Sequence, residues 1–210
     1  ILRSHMYEKN DFTLDPERYP QNDTRKLIED LHAEGMKVVP ILDPGIKVDP
    51  TLPAYRSGME AGVFIRTPSR DAFYEGQVWP GRVHFLDFLH RNITAWWGRQ
   101  LHTFHKELLP FDGLWLDMNE PSNFDSGPIR KPDLGYFSLN YPPYDIDNGG
   151  QRLPLFHATV PMDCWHDGSI LALHAHNIYG LAQAHVTWQV LHSPPFNHSR
   201  PFLLTRSVFP

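Results

Sequence analysis

One cysteine, Cys164, stands in 210 residues. A lone thiol excludes an internal disulfide and any zinc site built on cysteines. No apolar run approaches the roughly 20 residues that cross a bilayer. Basic residues are scattered, 19 Lys and Arg against 24 Asp and Glu, for a net charge of −5. Such a surface offers no footprint for nucleic acid or for a membrane surface. No glycine-rich phosphate loop follows any strand-like run. The chain is rich instead in proline, aromatics and histidine: 20 Pro, 13% aromatic residues and 13 His. That is enough apolar material for a core, with a net charge that depends on pH below neutrality.

One order recurs along the chain. Positions 22–35 carry Leu27, Ile28 and Leu31 at helical spacing, with Asp23 or Thr24 to cap the start and Gly35 to end it. Positions 37–42 form an apolar, β-branched run that stops at Asp43-Pro44-Gly45. Positions 92–109 read as a second helix with Ile93, Trp96, Trp97, Leu101, Phe104 and Leu108 inward. A second strand follows over 111–120. Positions 173–191 read as a third helix, with Ile178, Leu181, Ala182, His185 and Trp188 available for packing, and 201–205 as a third strand ending at Arg206-Ser207. Two irregular stretches, 46–88 and 121–170, interrupt this order; the first holds a hairpin-like piece, Gly62 to Arg66. The strands are continuous apolar runs, which implies an α/β fold with a parallel sheet covered by helices. A doubly wound sheet and a (β/α)8 barrel both present functional residues at the C-terminal strand ends. Inserts placed after strands, and the missing phosphate loop, favour a partial (β/α)8 TIM barrel with long inserts after two strands, residues 1–210 forming a fragment of that one domain.

The second strand is the richest in chemistry. Leu114-Trp115-Leu116 is apolar, and Asp117-Met118-Asn119-Glu120 turns polar before Pro121. Trp115 shares a strand face with Asp117. An aromatic ring beside a carboxylate suits a sugar: the ring stacks on the apolar face of the pyranose and the carboxylate meets the anomeric carbon. A buried strand ending in a turn, with Asp117 as a helix cap, explains the same local pattern equally well. The histidines read as packing or surface groups. His174 and His176, two apart on a helix, do not face one another to share a metal with His185, and no carboxylate completes a site around His102 and His105. Asp112 reads as a turn residue, Cys164 as a small buried one, and Trp96, Trp97 and Trp188 as core.

The stretch Gly113-Leu-Trp-Leu-Asp-Met-Asn-Glu-Pro-Ser-Asn-Phe124 closely resembles the nucleophile signature of glycoside hydrolase family 31, the α-glucosidases and α-xylosidases. Asp11-Phe-Thr13, Ile41-Leu-Asp-Pro44, Gln77-Val-Trp-Pro-Gly81, His176-Asn-Ile-Tyr-Gly180 and Arg200-Pro-Phe-Leu-Leu-Thr-Arg-Ser207 agree in the same order. The resemblance implies a retaining double displacement in which Asp117 forms the covalent glycosyl-enzyme and a second carboxylic acid, roughly 5 Å away, protonates the leaving oxygen. It implies that Asp43 binds sugar hydroxyls, that Trp79 and Trp115 wall the subsite, that Met118 lies beside the nucleophile, and that Arg206 approaches the same sugar or Asp117. Glu120 is expected as a supporting hydrogen-bond partner. The substrate would be an oligosaccharide, α-glucoside or α-xyloside, with no metal and no organic cofactor.

Three departures accompany the resemblance. The family's Asp-x-Asp-Tyr-Met motif falls on Leu2-Arg-Ser-His-Met6, so an apolar side chain replaces the first hydroxyl-clamping acid. Ser193-Pro-Pro195 interrupts the connection from the third helix to the third strand. The acid/base aspartate belongs to a His-Trp-x-Gly-Asp segment after the next strand, beyond Pro210. The chain is therefore expected to be a fragment, inactive alone. The alternative is a catalytically inactive carbohydrate-binding or regulatory relative. Three sequons, at Asn22, Asn92 and Asn197, favour the secretory pathway: vacuole, lysosome or cell exterior.

Overall fold

The computed structural model describes residues 5–125, 139–142, 153–197 and 200–208. Leu2, part of the sequon at Asn197 and much of the stretch 121–170 lie outside them. The element order is α1 (Gln21–Ala33), β1 (Ile41–Leu42), β2 (Gly45–Lys47), α2 (Pro53–Ala61), β3 (Glu75–Val78), β4 (Gly81–Phe85), α3 (Ile93–Thr103), β5 (Gly113–Leu116), β6 (Trp165–His166), β7 (Ile170–Leu171), α4 (Ala172–Ala175), α5 (Tyr179–His192) and β8 (Phe202–Thr205).

Three strands, β1, β5 and β8, form a parallel sheet in their order along the chain. The helices pack on one face of it. Leu42, Leu114 and Leu116 are fully buried in one cluster with Trp96, Trp97, Leu101 and Phe104 of the α3 region and with Val190 and Leu191 of α5. Ile41, Trp115 and Leu204 occupy one register layer across the sheet. Alternation along each strand points them away from the helices, and Trp115 and Leu204 remain partly exposed. Gly113 is required where β5 meets β8, since a Cβ there would lie 2.7 Å from the Phe202 carbonyl oxygen.

Several expectations are corrected. The stretch 46–88 is not irregular: it holds α2 and a second, antiparallel sheet in the order β2-β4-β3. A hairpin lies at Glu75–Phe85, with Trp79-Pro80 at its turn, and the expected hairpin-like piece at Gly62 to Arg66 is one arm of a shorter antiparallel pairing, Arg66 opposite Phe73. The helix α1 begins behind Pro20 with no side-chain cap; Asp23 and Thr24 lie inside it, and Thr24 is buried. Leu27 is exposed while Ile28 is buried. Ile178, just before α5, and Leu181 and Trp188 on it are exposed, and the inward face carries Tyr179, Gln183, Val186, Thr187 and Val190. This helix is apolar on most sides, so periodicity could not phase it. Its buried polar groups are partly paired: Thr187 Oγ1 accepts the indole N–H of Trp97 at 3.0 Å and donates to the Gln183 carbonyl at 2.7 Å. His102 and His105 pack edge-on against Phe196.

Candidate active site

Two residues beyond Ile41, Trp115 and Leu204, on the same face of the sheet, stand Asp43, Asp117 and Arg206. Continued parallel bonding holds them: the Asp117 N–H donates to the Leu42 carbonyl at 3.0 Å and the Arg206 N–H to the Leu116 carbonyl at 3.0 Å. Three strand ends thus deliver two acids and a guanidinium at one level.

Asn119 sets the level. Fully buried, it donates from Nδ2 to Thr205 Oγ1 at 2.7 Å and accepts the Ser207 N–H at Oδ1, 3.0 Å away. Residues on both sides of Arg206 are thereby tied to the exit of β5. Arg206 then grips Glu120 through Nε to Oε1 at 2.8 Å and Nη2 to Oε2 at 2.6 Å, and its Nη1 lies 3.1 Å from Asp117 Oδ1. The last contact is an ion pair by distance only. Its direction does not make a hydrogen bond, so Asp117 Oδ1 is buried without a hydrogen-bonding partner.

Asp43 is 7% exposed and Asp117 likewise 7%. Burial, and then the Asp117 charge, push the Asp43 carboxyl up to about 7, against the opposing pull of Arg206. A second acid lies behind it. Asp11 Oδ1 accepts the Asp43 N–H at 2.9 Å, and burial followed by repulsion from Asp43 raises the Asp11 carboxyl well above its ordinary range.

A cleft of about 420 Å³ opens over this layer, lined by Met6, Lys9, Arg18, Ile41, Asp43, Trp79 and Asp117. Trp79 reaches it from the turn between β3 and β4. Its ring meets Phe124 edge-on at 4.9 Å, and Lys9 Nζ sits 4.9 Å over it. The chain after β5 anchors that turn: Asn123 Oδ1 accepts the Gln77 N–H at 2.9 Å, its Nδ2 donates to the Tyr74 hydroxyl at 2.9 Å, and the Phe124 N–H donates to the Gln77 carbonyl at 2.8 Å.

The structure therefore brings Asp43, Trp79 and Asp117 together on one cleft, with Arg206 and Glu120 joined beside Asp117. Trp115 lies one layer beneath the acids. Met118, at φ 56°, turns its side chain into the core, 3% exposed. That left-handed backbone costs roughly 1–3 kcal/mol in a non-glycine residue and persists where surroundings enforce it. Sequence reasoning did not single out Lys9, Arg18, Asn119 or the support that Asp11 gives Asp43. Asp11 lies within a quoted motif, but its partner is 32 residues distant, and no local pattern reports such a pairing. Among the described residues no cluster of three or more His, Cys, Asp or Glu has metal-ligand geometry, and no helix is long and apolar enough to cross a membrane.

The family model for the "Glycosyl hydrolases family 31 TIM-barrel domain" matches residues 3–210. The chain belongs to glycosyl hydrolases family 31. Within this family it is 39% identical over 205 residues to a probable alpha-glucosidase of Oryza sativa subsp. japonica, which covers 98% of the chain and 22% of that relative. It is 34% identical to alpha-xylosidase 1 of Arabidopsis thaliana, covering 98% of the chain and 24% of the relative. A solved structure of an ER glucosidase II heterodimer superimposes with a TM-score of 0.76 at 27% identity, over 98% of this chain and 19% of that one. The chain thus spans about a fifth to a quarter of the length of these family 31 proteins.

Proposed function

We infer that these residues form the nucleophile-bearing part of a retaining α-glycoside hydrolase of the α-glucosidase type. One observation carries the reading: Asp117, a carboxylate at a strand end, lines the cleft beside Asp43 and Trp79, while its buried Oδ1 is held 3.1 Å from Arg206. In this reading the Asp117 carboxylate attacks the anomeric carbon and the glycosidic oxygen leaves with its electron pair. Asp43 and Trp79 hold the sugar, Asp43 by hydrogen bonds to hydroxyls and Trp79 by its ring face. The partner would be an oligosaccharide, an α-glucoside or an α-xyloside, and no cofactor is needed.

The three parallel strands, covered by helices on one face and bearing the acids on the other, are read as consecutive staves of a (β/α)8 barrel, residues 1–210 being part of that domain. The resemblance asks for a second carboxylic acid in a His-Trp-x-Gly-Asp segment, and these 210 residues hold no such segment, so the proposal is that this chain by itself does not turn over a glycoside whose leaving group needs protonation.

A glycosyl fluoride separates nucleophile from acid, because fluoride departs without a proton. Incubation with 5-fluoro-α-D-glucosyl fluoride should add one fluoroglucosyl group, located at Asp117 by peptide mass spectrometry, with Asp117→Asn unlabelled. Labelling elsewhere, or none, would overturn the assignment. The competing reading, a binding-only relative, is favoured by Leu2 in place of a hydroxyl-clamping acid; it is supported if the sugar binds saturably and no adduct forms. A secretory destination is proposed from the sequons, of which Asn22 and Asn92 are exposed. Loss of mass on endoglycosidase treatment of protein from its native source checks it.

A further inference from the structure

A second pocket, of about 350 Å³, lies at the β6–β7 turn and the start of α3 and shares no lining residue with the acid cleft. Three arginines line it, Arg66, Arg70 and Arg91, together with Asp87 and Asp167. The two carboxylates are already committed. Asp167 takes Nε and Nη2 of Arg91 at 2.8 and 3.0 Å. Asp87, 1% exposed, holds His166 Nδ1 at 2.6 Å and the N–H groups of Leu89 and Asp167 at 2.9 and 2.7 Å. Arg66 and Arg70 consequently have no carboxylate among the described residues.

Neither arginine is a loose surface side chain. The Arg70 guanidinium carbon lies over the Trp165 ring, 3.6 Å from its centroid, and Nη1 donates to Ser169 Oγ at 3.2 Å. Arg66 sits 5.0 Å over Phe73 and donates from Nη1 to the Arg70 carbonyl at 3.3 Å. The two supporting segments are bonded to one another, because Arg66 and Trp165 exchange backbone N–H···O bonds at 2.9 and 3.0 Å. A cation–π contact engages the guanidinium through its charge and uses none of its N–H groups as donors to an acceptor atom. On each of these arginines Nε and Nη2 carry no protein acceptor among the described residues. Two preorganised guanidinium forks without a counter-charge, in a protein of net charge −5, match the geometry that captures tetrahedral oxyanions bidentately.

We propose that Arg66 and Arg70, held on Phe73 and Trp165 at the rim of this pocket, bind a phosphate group, free or carried on a sugar. Their forks supply the charge-assisted hydrogen bonds, and the uncommitted Nη1 of Arg91 completes the cationic wall.

The test is calorimetric titration of the 210-residue protein in chloride buffer with inorganic phosphate, and separately with glucose 6-phosphate and glucose. Saturable one-site binding of inorganic phosphate is expected, weakened at least tenfold by Arg66→Gln and by Arg70→Gln and unchanged by Arg99→Gln elsewhere on the surface. Tighter binding of glucose 6-phosphate than of phosphate, with no binding of glucose here, would assign a phosphorylated sugar; equal affinity would assign the free anion. Raising the ionic strength should weaken binding. The proposal is overturned if neither phosphate ligand binds saturably, if both Gln variants bind like the parent while melting normally, or if Arg99→Gln weakens binding to the same extent.

Discussion

Arg206 holds Glu120 with both arms of its guanidinium fork, at 2.8 and 2.6 Å, across two strand exits 86 residues apart. The grip spends the fork on Glu120 and leaves the third nitrogen facing Asp117. Lysine carries the same charge but cannot make this planar, paired contact. Arg206→Lys should therefore weaken binding of a glucose-type iminosugar about tenfold, or about 1.4 kcal/mol. The fold should lose less than about 1 kcal/mol, because the pair is part-exposed. Titration calorimetry and urea unfolding together check it; an unchanged affinity would remove Arg206 from the site.

Asn119 has the opposite balance. Its side chain is fully buried and bonded at both ends, so Asn119→Ala leaves the part-buried Ser207 N–H without its acceptor and strips one bond from the Thr205 hydroxyl, which keeps its own to the Ser207 carbonyl at 2.9 Å. A loss of about 1–3 kcal/mol follows from leaving such groups unpaired. Iminosugar binding should fall with it, since Arg206 loses its anchors.

Gly180 opens α5 against both strand exits. A Cβ built there would meet the Ser207 carbonyl oxygen at 2.1 Å and the Asn119 carbonyl oxygen at 3.0 Å. Backbone cannot yield as a side chain does, so Gly180→Ala should displace the Arg206 strand end, lower the melting temperature and weaken iminosugar binding. The control is Gly98→Ala in α3, where the nearest atom, Val190 Cγ2, is 3.4 Å away. There helix propensity favours alanine by roughly 0.5–1 kcal/mol, and binding should be unchanged.

The pH dependence follows from Asp43, whose carboxyl is raised from an ordinary 3.8 to about 7. An acid raised on folding keeps its proton in the native state over a range where the unfolded chain has lost it. Stability then falls as pH rises from about 4 to about 7. Asp43→Asn removes that contribution, so the variant should gain stability relative to the parent across this window, measured by urea unfolding at pH 4.5 and 7. A difference that does not change with pH would show that Asp43 is already ionised below 4.

Much of this was legible in the chain. The helix-then-strand order, the continuous apolar strands and the polar residues at their C-terminal ends are local properties, and the parallel sheet follows from them. Gly35, at φ 76°, ends its helix as its position suggests. The α2 helix was missed because prolines and glycines around it look like loop; Pro53 in fact occupies the first helical turn, where a missing N–H costs nothing. The inward face of α5 was misassigned because Gln183 and Thr187 are polar by type yet buried.

By itself, the sequence determined which side chains stand at the ends of β1, β5 and β8: Asp43, Asp117 and Arg206 close their strands through the near-neighbour pattern of apolar runs and polar exits. Only the tertiary structure decided that they share one level, that Asn119 ties Arg206 beside Asp117, and that Asp11 backs Asp43. Strand register and contacts between residues 32 to 88 apart arise from packing the whole sheet against its helices, and no local spacing encodes them.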